Sequence, residues 1–426
     1  MRVMKWSMIA LAVAAGTSQF AVASSQDESK GFLEDSKLNV KTRMLYFSRD
    51  FRNNERDKDG NRQSRVEETG LGFLGTYESG FTQGTVGVGV DAIGMLGLKL
   101  DSGKGRAGTG LFPTGSDGRS QDDYSKGGGA VKFRVSDTVL KVGDQFTALP
   151  VFATDDSRLL PEIAQGGLIT SNEIKGLTLH AGRFTSLTAQ AETNRDSLHL
   201  KEADVLGGTY AFTDTLSTSL YYSKVEDYWR KYYANINWAL PISDKQGLVF
   251  DFNIYDTKSD GAALVKAFDG DKLDNRAFSL SGAYNIGAHT FTLAYQKVTG
   301  DGDYAYGVDG GGTIFLANSI ARSDFNAEDE KSWQARYDLN FAEYGIPGLS
   351  FMTRYVRGTG ANVTGTDNGK EWERDVDVKY VLQEGPAKDL SFRVRQATYR
   401  SSDGVYYGSS SIDELRLIVE YPLSIL

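Results

Sequence analysis

Basic residues recur at alternate positions near both ends of this chain. Lys41, Arg43 and Arg49 fall in one stretch, and Lys379, Arg393, Arg395 and Arg416 in three others. In an extended strand, residues an even number of places apart share a face. A guanidinium grips a carboxylate through two parallel hydrogen bonds and keeps its charge at any ordinary pH. A file of such groups along one wall could pass an anion from site to site, each strong enough to admit it and weak enough to release it. The competing reading pairs these groups with Asp375, Asp377 and Glu420 as structural salt bridges. Inward basic side chains outnumber inward acidic ones on these strands, which favours the anion path.

Other chemistries find little footing. With no Cys among 426 residues, thiol catalysis, zinc–thiolate sites and disulfide scaffolds are excluded. His180, His199 and His289 stand in neither metal-ligand nor triad spacing. Asp269-Gly270-Asp271 and Asp301-Gly302-Asp303 lack the full twelve-residue calcium pattern. Gly127-Gly128-Gly129 and Gly310-Gly311-Gly312 read as flexible loop pieces rather than phosphate cradles, since no helix follows. No nucleophile elbow or HExxH motif occurs, so neither enzyme activity nor a cofactor is expected. Forty-seven Lys and Arg against 56 Asp and Glu, a net charge of −9, disfavour a nucleic-acid partner.

The elements that must position the basic file follow from periodicity. Residues 1–23 have a basic start, a short apolar run and Ala21-Val22-Ala23, the pattern of a signal peptide cleaved after Ala23. Residues 24–426 then form one domain. Leu38, Val40, Thr42, Met44 and Tyr46 alternate with Asn39, Lys41 and Arg43, and comparable alternation recurs to Leu423. Longer polar stretches at 52–64, 101–128, 145–167, 185–201, 226–228, 257–275, 300–330, 358–371 and 401–411 alternate with tight turns. Nine such loops imply nine hairpins. The expectation is an all-β, 18-stranded antiparallel transmembrane barrel with short turns on one rim and long loops on the other. A soluble β-sandwich would also alternate, but would not need the loop asymmetry. In a closed barrel the first and eighteenth strands are neighbours, so the two basic groups merge into one strip. The acidic excess would then collect in loops, around Asp301, Asp303 and Asp309 and at Glu328, Asp329 and Glu330.

Longer motifs sharpen this. Among them are Gly31-Phe-Leu-Glu-Asp-Ser36, Thr76-Tyr-Glu-Ser-Gly-Phe-Thr-Gln-Gly-Thr-Val-Gly87, Ser157-Arg-Leu-Leu-Pro161, Ile314-Phe-Leu-Ala-Asn-Ser319 and Gly385-Pro-Ala-Lys-Asp-Leu-Ser-Phe-Arg-Val-Arg395. The sequence resembles the OprD-type outer-membrane carboxylate channels of pseudomonads. The resemblance implies a monomeric or loosely trimeric barrel in the outer membrane of a Gram-negative cell, in contact with lipid and lipopolysaccharide. It implies an inward-folded third loop that makes an eyelet with loops four and seven. It places a basic ladder for small carboxylate solutes at Arg49, Arg65, Arg158, Lys379, Arg393, Arg395 and Arg416. It also assigns Tyr304, Ser319, Arg322 and Asp324 to an eyelet wall on loop seven. Two positions depart from the family pattern: Gly312 stands where an Asp is expected and Arg322 where a Tyr is expected. The fourth loop is shortened and lacks an expected Tyr. These departures weaken a pocket for a cationic group, so a neutral amino acid, a dipeptide or an organic anion fits better than arginine or lysine. A general diffusion porin is the alternative.

Overall fold

The structure, a computed structural model, describes residues 26–52, 64–103, 105–261, 272–363, 365–402 and 411–426. The expected signal peptide, the Asp269-Gly270-Asp271 motif and most of the first, sixth and ninth loops lie outside the described residues.

Alternating burial is the local rule that builds the fold. In Asp123–Val135, Tyr124, Lys126, Ala130, Lys132 and Arg134 are buried, while Ser125, Val131, Phe133 and Val135 are exposed. Apolar residues on one face and charged ones on the other suit a strand with lipid on one side and a polar interior on the other. Eighteen such strands form one antiparallel sheet among the described residues. The first, Lys37–Phe51, pairs with its successor Arg65–Glu78 and also with the last, Ser411–Ser424. That second pairing closes the barrel and leaves no strand edge unpaired in lipid.

The loop rhythm matches expectation with two differences. Strands Leu349–Val363 and Thr366–Val381 run almost into each other, so the eighth loop is a tight turn rather than the stretch 358–371. Its polar residues belong to the strands themselves. Gly127-Gly128-Gly129 is not a loop piece either, but the middle of Asp123–Val135. A side chain at Gly128 would strike the Asp144 side chain on the neighbouring strand, within 2.4 Å.

The third loop carries a small hairpin, Ala148–Leu149 with Phe152–Ala153. It touches inward-facing side chains on distant strands. Tyr255 donates its hydroxyl to the Pro150 carbonyl at 2.9 Å, and Lys126 donates to the Pro161 carbonyl at 2.6 Å. A side chain at Gly70 would collide with Leu159 and Phe112, so glycine lets the loop close on the second strand.

Candidate functional site

The first strand places Phe47 on the inner face, fully buried. Strand register sets Arg416 directly across the closing seam from it, and Glu414 across from Arg49. Three guanidiniums gather over the Phe47 ring: Arg416 at 4.3 Å, Arg49 at 4.6 Å and Arg158 of the third loop at 5.3 Å from its centroid. The ring face attracts cations that burial has stripped of water. Glu414 accepts hydrogen bonds from Arg49 Nε at 2.9 Å and Arg416 Nε at 2.7 Å. One carboxylate thus pairs with two of the three clustered arginines. Burial, with repulsion from Arg416 and Arg49, pushes the Arg158 pKa down to about 9, still charged at neutral pH. A second anion beside it would relieve that repulsion.

The next step repeats the arithmetic. Asp377 accepts from Arg393 Nε at 2.8 Å and from Arg395 Nε at 2.9 Å. Arg395 faces Arg416 across its strand pair, and Lys379 faces Arg393. Lys379 makes no ion pair among the described residues. Lys379, Arg393, Arg395, Arg416, Arg49 and Arg158 therefore lie on one continuous wall that crosses the seam.

Not every basic residue belongs to it. Lys41 and Arg43 are claimed by acids: Lys41 pairs with Asp156 at 2.7 Å, and Arg43 with Asp156 at 2.8 Å and Glu420 at 2.7 Å. Arg43 also donates to the carbonyl of Arg158. These two residues tie the third loop to the wall. Burial opposes ionisation of Asp156, but Arg43 and Lys41 outweigh it and hold that carboxyl below its usual pKa. Arg65 corrects an expectation. Val66, its neighbour, faces Arg49, so Arg65 points to the other side, where it meets Tyr46, Ser48 and Glu67. A strand-edge position has too few neighbours in sequence to fix its face.

The seventh loop supplies the opposing surface. Arg416 donates to the Ala321 carbonyl at 3.1 Å. Ser319 donates to Asp324 at 2.6 Å, and Tyr306 donates to the same carboxylate. The backbone N–H groups of Arg322 and Ser323 donate to the two oxygens of Glu373 at 2.9 and 2.8 Å. Ala321, beside Arg322, is therefore held against Arg416, while Ser319 and Asp324 are bonded to each other. Tyr304 is not a wall residue: it is 1% exposed, its hydroxyl is given to the Thr313 carbonyl, and its ring packs on Tyr255. Beneath it Asp309 pairs with Lys231 at 2.7 Å, both fully buried. This pair pins the loop to the barrel.

Loops three and seven meet along Gly310-Gly311-Gly312, which is a seam and not a flexible piece. Gly310, at φ +101°, sits so close to the Ala153 carbonyl that a Cβ would lie 1.9 Å from it. Gly312 donates its N–H to that carbonyl at 3.1 Å, and Gly311 donates to Glu162 at 3.0 Å. A Cβ at Gly312 would meet Thr154 and Ala153 at 3.1–3.2 Å, so this seam has little room for the Asp of the family pattern.

Sequence reasoning missed Phe47, Glu414 and Glu162. Glu414 had a signal: it lies two residues from Arg416, on the same face. Phe47 had a weaker one, an aromatic on the basic face of its strand. Glu162 had none.

A closed barrel of eighteen strands with a charged inner wall is the architecture of an outer-membrane channel. Residues 30–425 match the family described as outer membrane porin, OprD family. The chain is 50% identical over 460 residues to Porin D of Pseudomonas aeruginosa, covering 100% of each. It superposes on OccAB1 of Acinetobacter baumannii with a TM-score of 0.88 and 35% identity, over 95% of this chain and 100% of that one. It superposes on Pseudomonas aeruginosa OpdK, crystallised with vanillate, with a TM-score of 0.80 and 35% identity, over 92% and 100%. The chain belongs to the OprD family of porins: a channel of the Gram-negative outer membrane, and not an enzyme.

Proposed function

We propose that this channel passively admits small carboxylate-bearing solutes, guided by Lys379, Arg393, Arg395, Arg416, Arg49 and Arg158. The observation that carries the proposal is the shortage of counter-charge along this wall. Asp377 pairs with two arginines and Glu414 with two, and Arg158 has no ion pair among the described residues, so positive charge remains for a passing anion. The opposing Ser319, Arg322 and Asp324 would read the rest of the solute. In this reading the third loop, bound to the seventh, narrows the lumen to an eyelet. The seam at Gly312 and the Arg side chain at position 322 favour a neutral amino acid, a dipeptide or an organic anion over a cationic amino acid. The OpdK relative's vanillate is itself a carboxylate, which agrees with this solute class. The chain would reach the membrane after cleavage at Ala23 and work as a monomer or a loose trimer.

The test is uptake into liposomes holding purified protein. Wild-type protein should show saturable carboxylate flux driven by the gradient alone. Arg393→Ala/Arg395→Ala should lose about tenfold, the worth of roughly 1.4 kcal/mol. Equal flux through both proteins would end the ladder idea. Rapid passage of neutral sugars would mark a general diffusion porin instead.

A further inference from the structure

The outer face carries a second arrangement that the channel does not use. Across strands His289–Asp301, Lys331–Asn340, Leu349–Val363, Thr366–Val381 and Ser391–Ser401, five side chains lie in one register row: Tyr295, Trp333, Arg357, Trp372 and Arg400. One row nearer the long-loop rim stand Lys297, Lys331 and Lys370. These rows face outward. Their sequence neighbours Val298, Ser332, Val356, Glu371 and Tyr399 are buried on the inner side, while Trp333 is 63% exposed.

Aromatic rings of this kind mark the headgroup level of a bilayer. Tyr295 packs on Trp333 at 4.5 Å and Tyr355 on Trp372 at 5.7 Å between centroids. The cations lie at and just above that level. Lys297 and Lys331 stand directly opposite one another, an arrangement that destabilises a sheet unless something anionic covers it. Among the described residues, none of Lys297, Lys331, Arg357 and Lys370 has an ion-pair partner. Outer-face cations elsewhere do: Arg183 lies 2.7 Å from Asp204 and Arg276 2.8 Å from Asp256. A pocket of about 330 Å³ opens among Tyr355, Arg357, Lys370, Trp372, Arg400 and Ser402, with Glu371 also on its lining but buried on the inner side.

We infer that this face binds a phosphorylated, multiply acylated glycolipid of the outer leaflet, of the lipid A class. Arg357 and Lys370 hold one phosphate in the pocket, Lys297 and Lys331 hold the second, and the acyl chains lie along Trp333 and Tyr355. Lipid chemistry follows from the position, since an outward aromatic row of this kind lies at headgroup depth. Two phosphates follow from the width. The four cations stand on four adjacent strands, which at about 4.8 Å spacing cover roughly 14 Å, more than one phosphate of a glycerophospholipid can engage. Juxtamembrane basic clusters draw anionic headgroups in this way.

The full-length channel, purified from outer membranes in mild detergent, can be examined by native mass spectrometry with added diphosphoryl lipid A, its dephosphorylated form or phosphatidylglycerol. Wild-type protein should retain diphosphoryl lipid A selectively. Arg357→Gln/Lys370→Gln and Lys297→Gln/Lys331→Gln should each lose about thirtyfold in retention, from two basic contacts removed. Arg183→Gln, on a paired outer-face cation, should match wild type. Single-channel conductance should be unchanged in all, which also confirms folding. Undiminished retention in both double variants, an equal loss in Arg183→Gln, or equal binding of phosphatidylglycerol would overturn the assignment.

Discussion

Arg416 lies across the barrel's closing seam from Phe47, with its guanidinium 4.3 Å from the centre of the ring. Arg49 and Arg158 share that ring, so a single apolar side chain organises three charges from the first strand, the last strand and the third loop.

Phe47→Ala should therefore damage both stability and transport. Removing a buried Phe costs about 3–5 kcal/mol. Denaturant midpoints in lipid vesicles would show that loss. Phe47→Leu should recover part of the stability but not the affinity for carboxylates, because packing returns without the ring's attraction for cations. Equal half-saturation in wild type and Phe47→Leu would show that the ring serves packing alone.

Asp377→Asn leaves Arg393 and Arg395 without their shared counter-charge. The pore should become more anion-selective, read as a shift in reversal potential across a salt gradient. Stability should fall by about 1–3 kcal/mol from the unpaired groups. A shift toward cations would contradict the charge shortage on which the ladder rests.

Glu162 gives a pH dependence. Its carboxyl accepts from the N–H groups of Asp155 at 2.8 Å and Gly311 at 3.0 Å, joining loops three and seven. Burial raises its pKa from 4.5 to about 8. The folded state thus holds a proton that the unfolded chain releases at lower pH. The stabilisation is complete below pH 4.5, declines as pH rises and is gone above about 8. Single-channel recordings should grow noisier above pH 8 as the seam loosens. Glu162→Gln, which cannot ionise, should flatten that profile.

Gly310→Ala should open the same seam mechanically. The added Cβ would fall 1.9 Å from the Ala153 carbonyl at a φ of +101°. Such a residue costs about 1–3 kcal/mol even before the clash. The size limit for neutral sugars should rise, and an unchanged limit would mean that the two loops do not set it.

Much of this was legible in the sequence because the signals were local or topological. Period-two alternation is written residue by residue, so the strands and their closure followed from it. Closure alone made neighbours of Arg49 and Arg416, which are 367 places apart by number. Contacts that depend on how a loop lands were not legible. Nothing near Arg158 in sequence says that it stacks on Phe47. The resemblance sets Tyr304 in the eyelet wall, but Tyr255 and the Lys231–Asp309 pair enclose it. Arg65 enters the ladder by resemblance and not by alternation, and strand register puts it on the face opposite to that of Arg49.

The seam pairs Arg43 with Glu420 and Arg49 with Glu414, binding one end of the chain to the other. While the barrel is still open, Arg43 keeps only Asp156 and Glu414 keeps only Arg416, and the guanidinium cluster over Phe47 is incomplete. Assembly and competence thus arrive together: the cluster over Phe47 is complete only once the last strand pairs with the first. A circularly permuted chain with its ends moved to another turn would separate these roles, since it would carry the finished ladder wall before its own last strand docks.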